Sequence, residues 1–275
     1  MTDARAELTR EVSAMDEFGN MRKVALPAER ALTVYVDKQE LVTLMTLGAQ
    51  PELLVLGFLR NQRLLQSVQD VESITVDWEV GAAAVKTRSG SADLQQRTAR
   101  RVVTTGCGQG SMFGDLMAEL DTLELPAASL TQQQLYAIVK AMRLQDSTYK
   151  SAGAVHGCAL FRGEEMLIFV EDVGRHNAID TIAGWMWLHE EMAGQDKVFY
   201  TTGRLTSEMV IKSAQMGVPI IVSRSGITQM GQELAQRLGL CTIGRATHQR
   251  FLCYSGAERL QLQPELALAP ARAAL

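Results

Sequence analysis

The chain has 275 residues, 47% of them hydrophobic, and a formal net charge of −4. That length allows one large domain or two smaller ones with substantial cores. Acidic and basic residues are interspersed, which excludes a basic stripe for nucleic acid and a polybasic membrane patch. No run approaches the roughly 18 consecutive apolar residues of a membrane span.

Residues 1–25 are polar and are expected to be loose or a helical extension. The first twenty lack the apolar run of a signal peptide, so the expected location is the cytoplasm. Residues 32–37 alternate apolar and polar, Lys38-Gln39 can turn, and 41–45 continue in β-type residues, which predicts a hairpin. Pro51 suits the first turn of a helix over 51–59 that is apolar almost all round and therefore buried. Strands are predicted over 73–80 and 82–87, then a charged surface helix over 92–101. Residues 120–130, with Pro126, read as a linker and a domain boundary. A helix capped by Thr131 runs to about Gln145, with Leu135, Ile138, Val139 and Met142 on one face.

From Val155 the chain alternates regularly. Strands are predicted over 155–161, 166–170, 198–202, 218–223, 240–243 and 251–254, and helices over 177–188, 206–216 and 228–238. That order implies an α/β layer on a mixed, mostly parallel sheet. The expected division is a loose extension (1–25), a smaller N-terminal α+β subdomain (26–125), an α/β domain (126–260) and a tail (261–275).

Four cysteines, Cys107, Cys158, Cys241 and Cys253, show no Cys-x-x-Cys spacing, and four histidines form no zinc pattern. Cys158 and Cys241 lie in apolar strands and are expected to be inert. Cys107 differs, because Gly106 and Gly108 flank it and Gly110 and Gly114 follow. A thiol between residues without side chains is open to attack from several directions, although a turn that happens to hold a cysteine reads the same way.

Three strand-to-helix turns carry polar clusters. The first, from Glu171 to Asp180, gathers two carboxylates, Arg175, His176 and Asn177 where an open α/β sheet binds ligands. A capped helix with solvated charges is its plainer alternative. The second runs through Gly203 and Arg204, the third through Ser223, Arg224 and Ser225. Together they suggest a pocket for a phosphorylated ligand. None matches Gly-x-Gly-x-x-Gly or the Walker lysine loop. Phe251 and Tyr254 could stack on a flat heterocycle or pack in the core.

These residues resemble the formate dehydrogenase accessory sulfurtransferase family, the FdhD type. The resemblance rests on Glu171-Asp172-Val173-Gly174-Arg175-His176-Asn177-Ala178 with Asp180, on Gly203-Arg204 with Glu208-Met209, and on Lys212 with Gly217-Val218-Pro219. Tyr254-Ser255-Gly256 with Glu258-Arg259, and Met45 to Gly48 leading to Leu56 to Leu59, complete it. It implies a cytidine-deaminase-like C-terminal layer without the deaminase zinc. The strand-to-helix turn here lacks His-x-Glu, and no Pro-Cys-x-x-Cys follows. It also implies a persulfide on Cys107, loaded by a cysteine desulfurase and unloaded onto the bis-molybdopterin guanine dinucleotide molybdenum cofactor for formate dehydrogenase. Arg175, His176, Gly203, Arg204, Ser223 and the run Phe251, Leu252, Cys253, Tyr254, Ser255 and Gly256 would hold that cofactor. A homodimer is the expected assembly. Family members often carry Cys-x-x-Cys in the loop where this chain has Cys107-Gly108-Gln109-Gly110. The missing second thiol excludes a disulfide relay there and favours, as the alternative, a non-catalytic cofactor-binding chaperone. A deaminase-like hydrolase is a third reading, whose mark would be stoichiometric zinc.

Overall fold

A computed structural model describes residues 1–88, 90, 120, 122–189 and 196–266. The Cys107 loop, the helix expected over 92–101 and the end of the tail lie outside the described residues.

In chain order the elements are β1 (Thr9–Met15), β2 (Met21–Pro27), β3 (Arg30–Val36), β4 (Gln39–Thr46), α1 (Pro51–Asn61), β5 (Val71–Asp77) and β6 (Ala82–Thr87). Then come β7 (Leu130–Thr131), α2 (Gln132–Leu144), α3 (Thr148–Ala152), β8 (His156–Arg162), β9 (Glu165–Asp172) and α4 (Arg175–Leu188). The last group is β10 (Lys197–Thr201), α5 (Ser207–Gln215), β11 (Ile220–Ser223), α6 (Gln229–Arg237), β12 (Cys241–Thr247), β13 (Arg250–Ser255) and β14 (Leu260–Gln261). This is a mixed α/β fold. Among the described residues no helix is long and apolar enough to cross a membrane.

The described residues form two compact units. One draws on residues up to 90, then 146–158 and 169–189; the other on 120, 122–145, 159–168 and 196–266.

The first unit holds a four-stranded sheet in the order β4-β3-β6-β5. β3 runs parallel to β6 and antiparallel to β4. Alternate residues of its strands, Leu32, Val34, Val36, Ile74, Val76, Ala83 and Val85, are buried with Val55, Leu56 and Leu59 of α1. This is the period-2 face of a half-buried sheet. The turn between β3 and β4 falls on Asp37 and Lys38, both with positive φ, one residue earlier than expected. The backbone twist of a two-residue hairpin requires that conformation. Asp37 also accepts from Thr87 N (2.9 Å) and Thr87 Oγ1 (2.6 Å), which ties the turn to β6.

Helices α1 and α4 cross backbone to backbone. A Cβ added at Gly57 would fall inside the Asp180 carbonyl, and one at Gly184 inside the Leu53 carbonyl. Asn61 Nδ2 donates to Asp180 Oδ1 at 2.7 Å beside this crossing.

The loose or helical N-terminal extension is corrected by the structure. β1 and β2 pair in register over seven residues each as a separate two-stranded ribbon. The Asp16 carboxylate accepts from Phe18 N and Asn20 N, and Gly19 adopts φ +80. Val12, Ala14, Val24 and Leu26 share one face of the ribbon, but Arg10 and Arg22 interrupt it and none of the four is fully buried, so the hydrophobic alternation is weak.

The second unit holds the six-stranded sheet of order β13-β12-β11-β10-β8-β9, which β8 and β9 enter through residues 159–162 and 165–168. β10, β11 and β12 are parallel, and β13 returns antiparallel to β12. Every residue of β10 and β11 is buried. That accounts for their unbroken apolar runs, since parallel strands are covered on both faces. Helix α2 begins with a complete capping box, Thr131 Oγ1 accepting from Gln134 N while the Gln134 side chain accepts from Thr131 N.

Candidate functional site

The Glu171 to Asp180 segment belongs to the first unit, and most of its polar groups are spent on architecture. Glu171 accepts from the backbone N–H groups of Thr148 and Tyr149, capping α3 with a negative charge at the helix start. Asp172, buried at the end of β9, accepts from Thr46 Oγ1 (2.5 Å), Leu47 N (3.1 Å), Gly174 N (3.0 Å) and Asn177 Nδ2 (2.9 Å). Burial pushes this carboxyl above the ordinary carboxylate value, and the hydrogen bonds pull against that rise. Asn177 Nδ2 also donates to Met45 O at 2.6 Å. The end of β4 is thereby locked to the start of α4. Neither Asp172 nor Asn177 caps α4, whose N-cap is Gly174 with no side-chain hydrogen bond. Arg175 and His176 stand half-buried in its first turn.

In the second unit the turns that follow β10 and β11 are neighbours, stitched together by their backbones and, through Arg245, to β12. Gly203 N donates to Thr201 Oγ1 at 3.0 Å, and Arg224 N to Thr201 O at 3.0 Å. Leu205 N donates to Gly226 O at 2.9 Å, and Arg245 N to Ser225 O at 2.7 Å. Ser223 Oγ donates to Gly203 O at 2.6 Å and accepts from Ser225 N at 2.9 Å. The structure therefore brings Gly203 and Ser223 into contact, but the Ser223 hydroxyl serves the turn itself. Arg204 and Arg224 are exposed. Thr206, buried at the N-cap of α5, has a hydroxyl with no hydrogen-bond partner among the described residues. An unsatisfied buried hydroxyl costs free energy, so it marks a place where a polar ligand group would be welcome. Sequence reasoning missed Thr206, although a threonine before a helix is itself a signal.

β13 divides its residues between two uses. Phe251 meets Tyr136 of α2 edge to face, with ring centroids 6.3 Å apart. Leu252 is 50% exposed. Tyr254 lies against Gly244, where a Cβ would come within 2.8 Å of its ring. Ser255 is buried, its Oγ 2.6 Å from Thr242 Oγ1 and donating to Leu240 O at 2.8 Å. Gly256 adopts φ +63 with no room for a side chain against Cys241. Ser255 and Gly256 thus shape the strand end, while Leu252 and the half-buried Cys253 and Tyr254 remain accessible.

Cys253 and Cys241 are hydrogen-bonded thiols. That bond, the largest influence on both, pulls Cys253 down to about 7 and pushes Cys241 up, and burial pushes Cys241 further in the same direction. Cys241 is thereby kept as an unreactive thiol, and Cys253 is the more nucleophilic of the two. Cross-strand neighbourhood of this kind is invisible to spacing along the chain. Cys158 is buried. Among the described residues no three His, Cys, Asp or Glu side chains are grouped to hold a metal ion.

A family model described as the FdhD/NarQ family matches residues 27–261. The sulfur carrier protein FdhD of Geobacillus kaustophilus is 30% identical over 234 residues, covering 84% of this chain and 88% of its own. That of Halalkalibacterium halodurans is 30% identical over 263 residues, covering 94% and 97%. The crystal structure of a candidate formate dehydrogenase accessory protein from Desulfotalea psychrophila matches with a TM-score of 0.73 at 23% identity, covering 92% of this chain and 98% of that one, and shows a shared fold. With the family match running through almost all of both units, this chain belongs to the FdhD/NarQ family.

Proposed function

We propose that this protein is a sulfur carrier that takes sulfane sulfur from a cysteine desulfurase onto Cys107 and delivers it to the bis-molybdopterin guanine dinucleotide molybdenum cofactor of formate dehydrogenase. The observation that carries this reading is the match through residues 27–261, together with relatives named as sulfur carriers. In the loading step the Cys107 thiolate attacks the outer sulfur of the donor persulfide. The donor's S–S bond breaks, the donor leaves as a thiolate, and Cys107 holds the new persulfide. In the sequence Cys107 is flanked by Gly106 and Gly108, neither of which has a side chain to stand beside the thiol.

The cofactor is cargo, and in the second unit the fit to it is favourable. The unsatisfied Thr206 hydroxyl and the exposed Arg204 offer polar contacts for phosphate groups, beside Gly203. Leu252, Cys253 and Tyr254 offer a partly apolar wall, with Phe251, Ser255, Gly256 and Ser223 holding the frame. In the first unit, the resemblance assigns Arg175 and His176 to orienting a ligand or stabilising negative charge, and neither is assigned as an acid–base catalyst. The same reading includes a cytidine-deaminase-like C-terminal layer, a cytoplasmic homodimer and docking to the apo-dehydrogenase.

The test loads full-length protein from a desulfurase charged with labelled sulfur. Label is expected on the wild type and absent from Cys107→Ser; no label on the wild type, or equal label on both, rejects sulfur carriage. One observation favours a second reading. The loop offers a single thiol, Cys107-Gly108-Gln109-Gly110, which suits a cofactor-binding chaperone that carries no sulfur. Retained formate dehydrogenase activity with Cys107→Ala in a deletion strain would select that reading.

A further inference from the structure

Within the second unit, α2 and the β12–β13 hairpin enclose an open cleft of about 710 Å3, lined among others by Tyr136, Lys140, Arg143, His248 and Arg250. Its two walls are fixed to one another. The Tyr136 hydroxyl donates to Gln249 O at 3.0 Å and accepts from Gln132 Nε2 at 2.7 Å, and its ring meets Phe251. Tyr136, Lys140 and Arg143 follow one another at i, i+4 and i+7, which puts them on one face of α2. His248 and Arg250 sit on the opposing hairpin.

The charges are one-sided. Among the described residues no aspartate or glutamate lines the cleft, and Lys140, Arg143 and Arg250 have no ion-pair partner. This concentration of unneutralised cations occurs in a chain whose net charge is −4. Like charges facing one another across a cleft repel, and an anionic occupant relieves that repulsion.

We propose that this cleft docks an extended acidic segment of a partner protein, with Lys140 and Arg143 meeting its carboxylates from the helix and Arg250 from the hairpin. Two features favour a protein segment over a small phosphate. All three cations, and His248, are exposed, whereas a small-anion site converges backbone N–H groups on one point. β13 is also the terminal strand of its sheet, and an edge strand presents backbone groups that an extended segment can pair with. The proposal makes no use of Cys107 and stands or falls separately from sulfur carriage.

The experiment titrates a fluorescein-labelled hexaglutamate peptide against the full chain by anisotropy. Binding is expected, weakening as salt rises. The exposed charge reversals K140E/R143E are expected to weaken it by at least about tenfold, because each turns an attraction into a repulsion. K38E, on the exposed β3–β4 turn, makes the chain more negative without changing a residue that lines the cleft and is expected to leave binding within about twofold. Circular dichroism checks that each variant is folded. No binding, equal binding by wild type and K140E/R143E, or an equal loss in K38E overturns the proposal. So does a result in which pyrophosphate binds the cleft and hexaglutamate does not, since that makes it a phosphate site.

Discussion

The Glu171 to Asp180 turn and the Gly203 and Ser223 turns look alike as sequence: each follows a strand, precedes a helix and concentrates polar side chains. They differ in where those side chains spend their hydrogen bonds. In the first, Glu171 caps α3, Asp172 receives four donors and Asp180 receives Asn61. In the second, backbone groups stitch the turns together, while the Thr206 hydroxyl and the Arg204 side chain are left over. A dense polar motif can therefore be architecture, and a sparser one can hold the vacancies that binding needs.

That contrast can be broken or sharpened by experiment. The largest effect is expected from Gly57→Val in the α1–α4 crossing beside the first turn. Its Cβ would enter the Asp180 carbonyl, and a loss of at least about 3 kcal/mol in urea unfolding is expected. Asp172→Ala strands four donors and is expected to cost about 2 kcal/mol in the same assay. Asp172 also sets a sign. Its folded-state carboxyl is raised above the ordinary value of 3.8, so the native state holds the proton more tightly than the unfolded chain. Its contribution is greatest at low pH and is lost as pH rises through the raised value. Relative to Asp172→Asn, wild type is therefore expected to lose stability on going up from pH 3.8, and a flat difference would show that burial does not dominate this site.

In the second unit, alkylation of Cys253 followed by peptide mass spectrometry is expected to rise with a midpoint of about 7. Cys241→Ala removes the hydrogen bond that lowers it, moving the midpoint up toward the ordinary value of 9.0. The smallest effect is expected from Thr206→Val. Replacing an unpartnered buried hydroxyl by a methyl removes its desolvation penalty and should raise stability by about 1 kcal/mol, whereas binding of a guanine nucleotide should weaken measurably. A large stability loss in Thr206→Val would mean that this hydroxyl belongs to the architecture, as Asp172 does.

The elements that were legible in the sequence are those whose burial follows a simple period. β3, β5 and β6 alternate, β10 and β11 carry unbroken apolar runs over 198–200 and 220–222, and α2 and α6 announce themselves by Thr131 and Thr228. What was illegible depends on partners far along the chain. α3 is five residues long and is held by a carboxylate 23 positions beyond its first N–H. The β1–β2 ribbon has an apolar face that Arg10 and Arg22 interrupt and that is not fully buried, so the alternation on which strand prediction rests is weak there. Of the proposed ligand residues, Ser223, Ser255 and Gly256 turned out to hold the frame, because small residues at strand ends serve close backbone approach as readily as they serve ligands.

The contact between α1 and α4 also limits how this chain can change. Elsewhere in the first unit a larger side chain can be accommodated by trimming the one opposite, so volumes can be traded among Leu, Ile and Val. At Gly57 and Gly184 the obstacles are the peptide oxygens of Asp180 and Leu53, which every amino acid would place in the same spot. No second substitution can make room, and these two positions are closed to the compensated drift open to their neighbours.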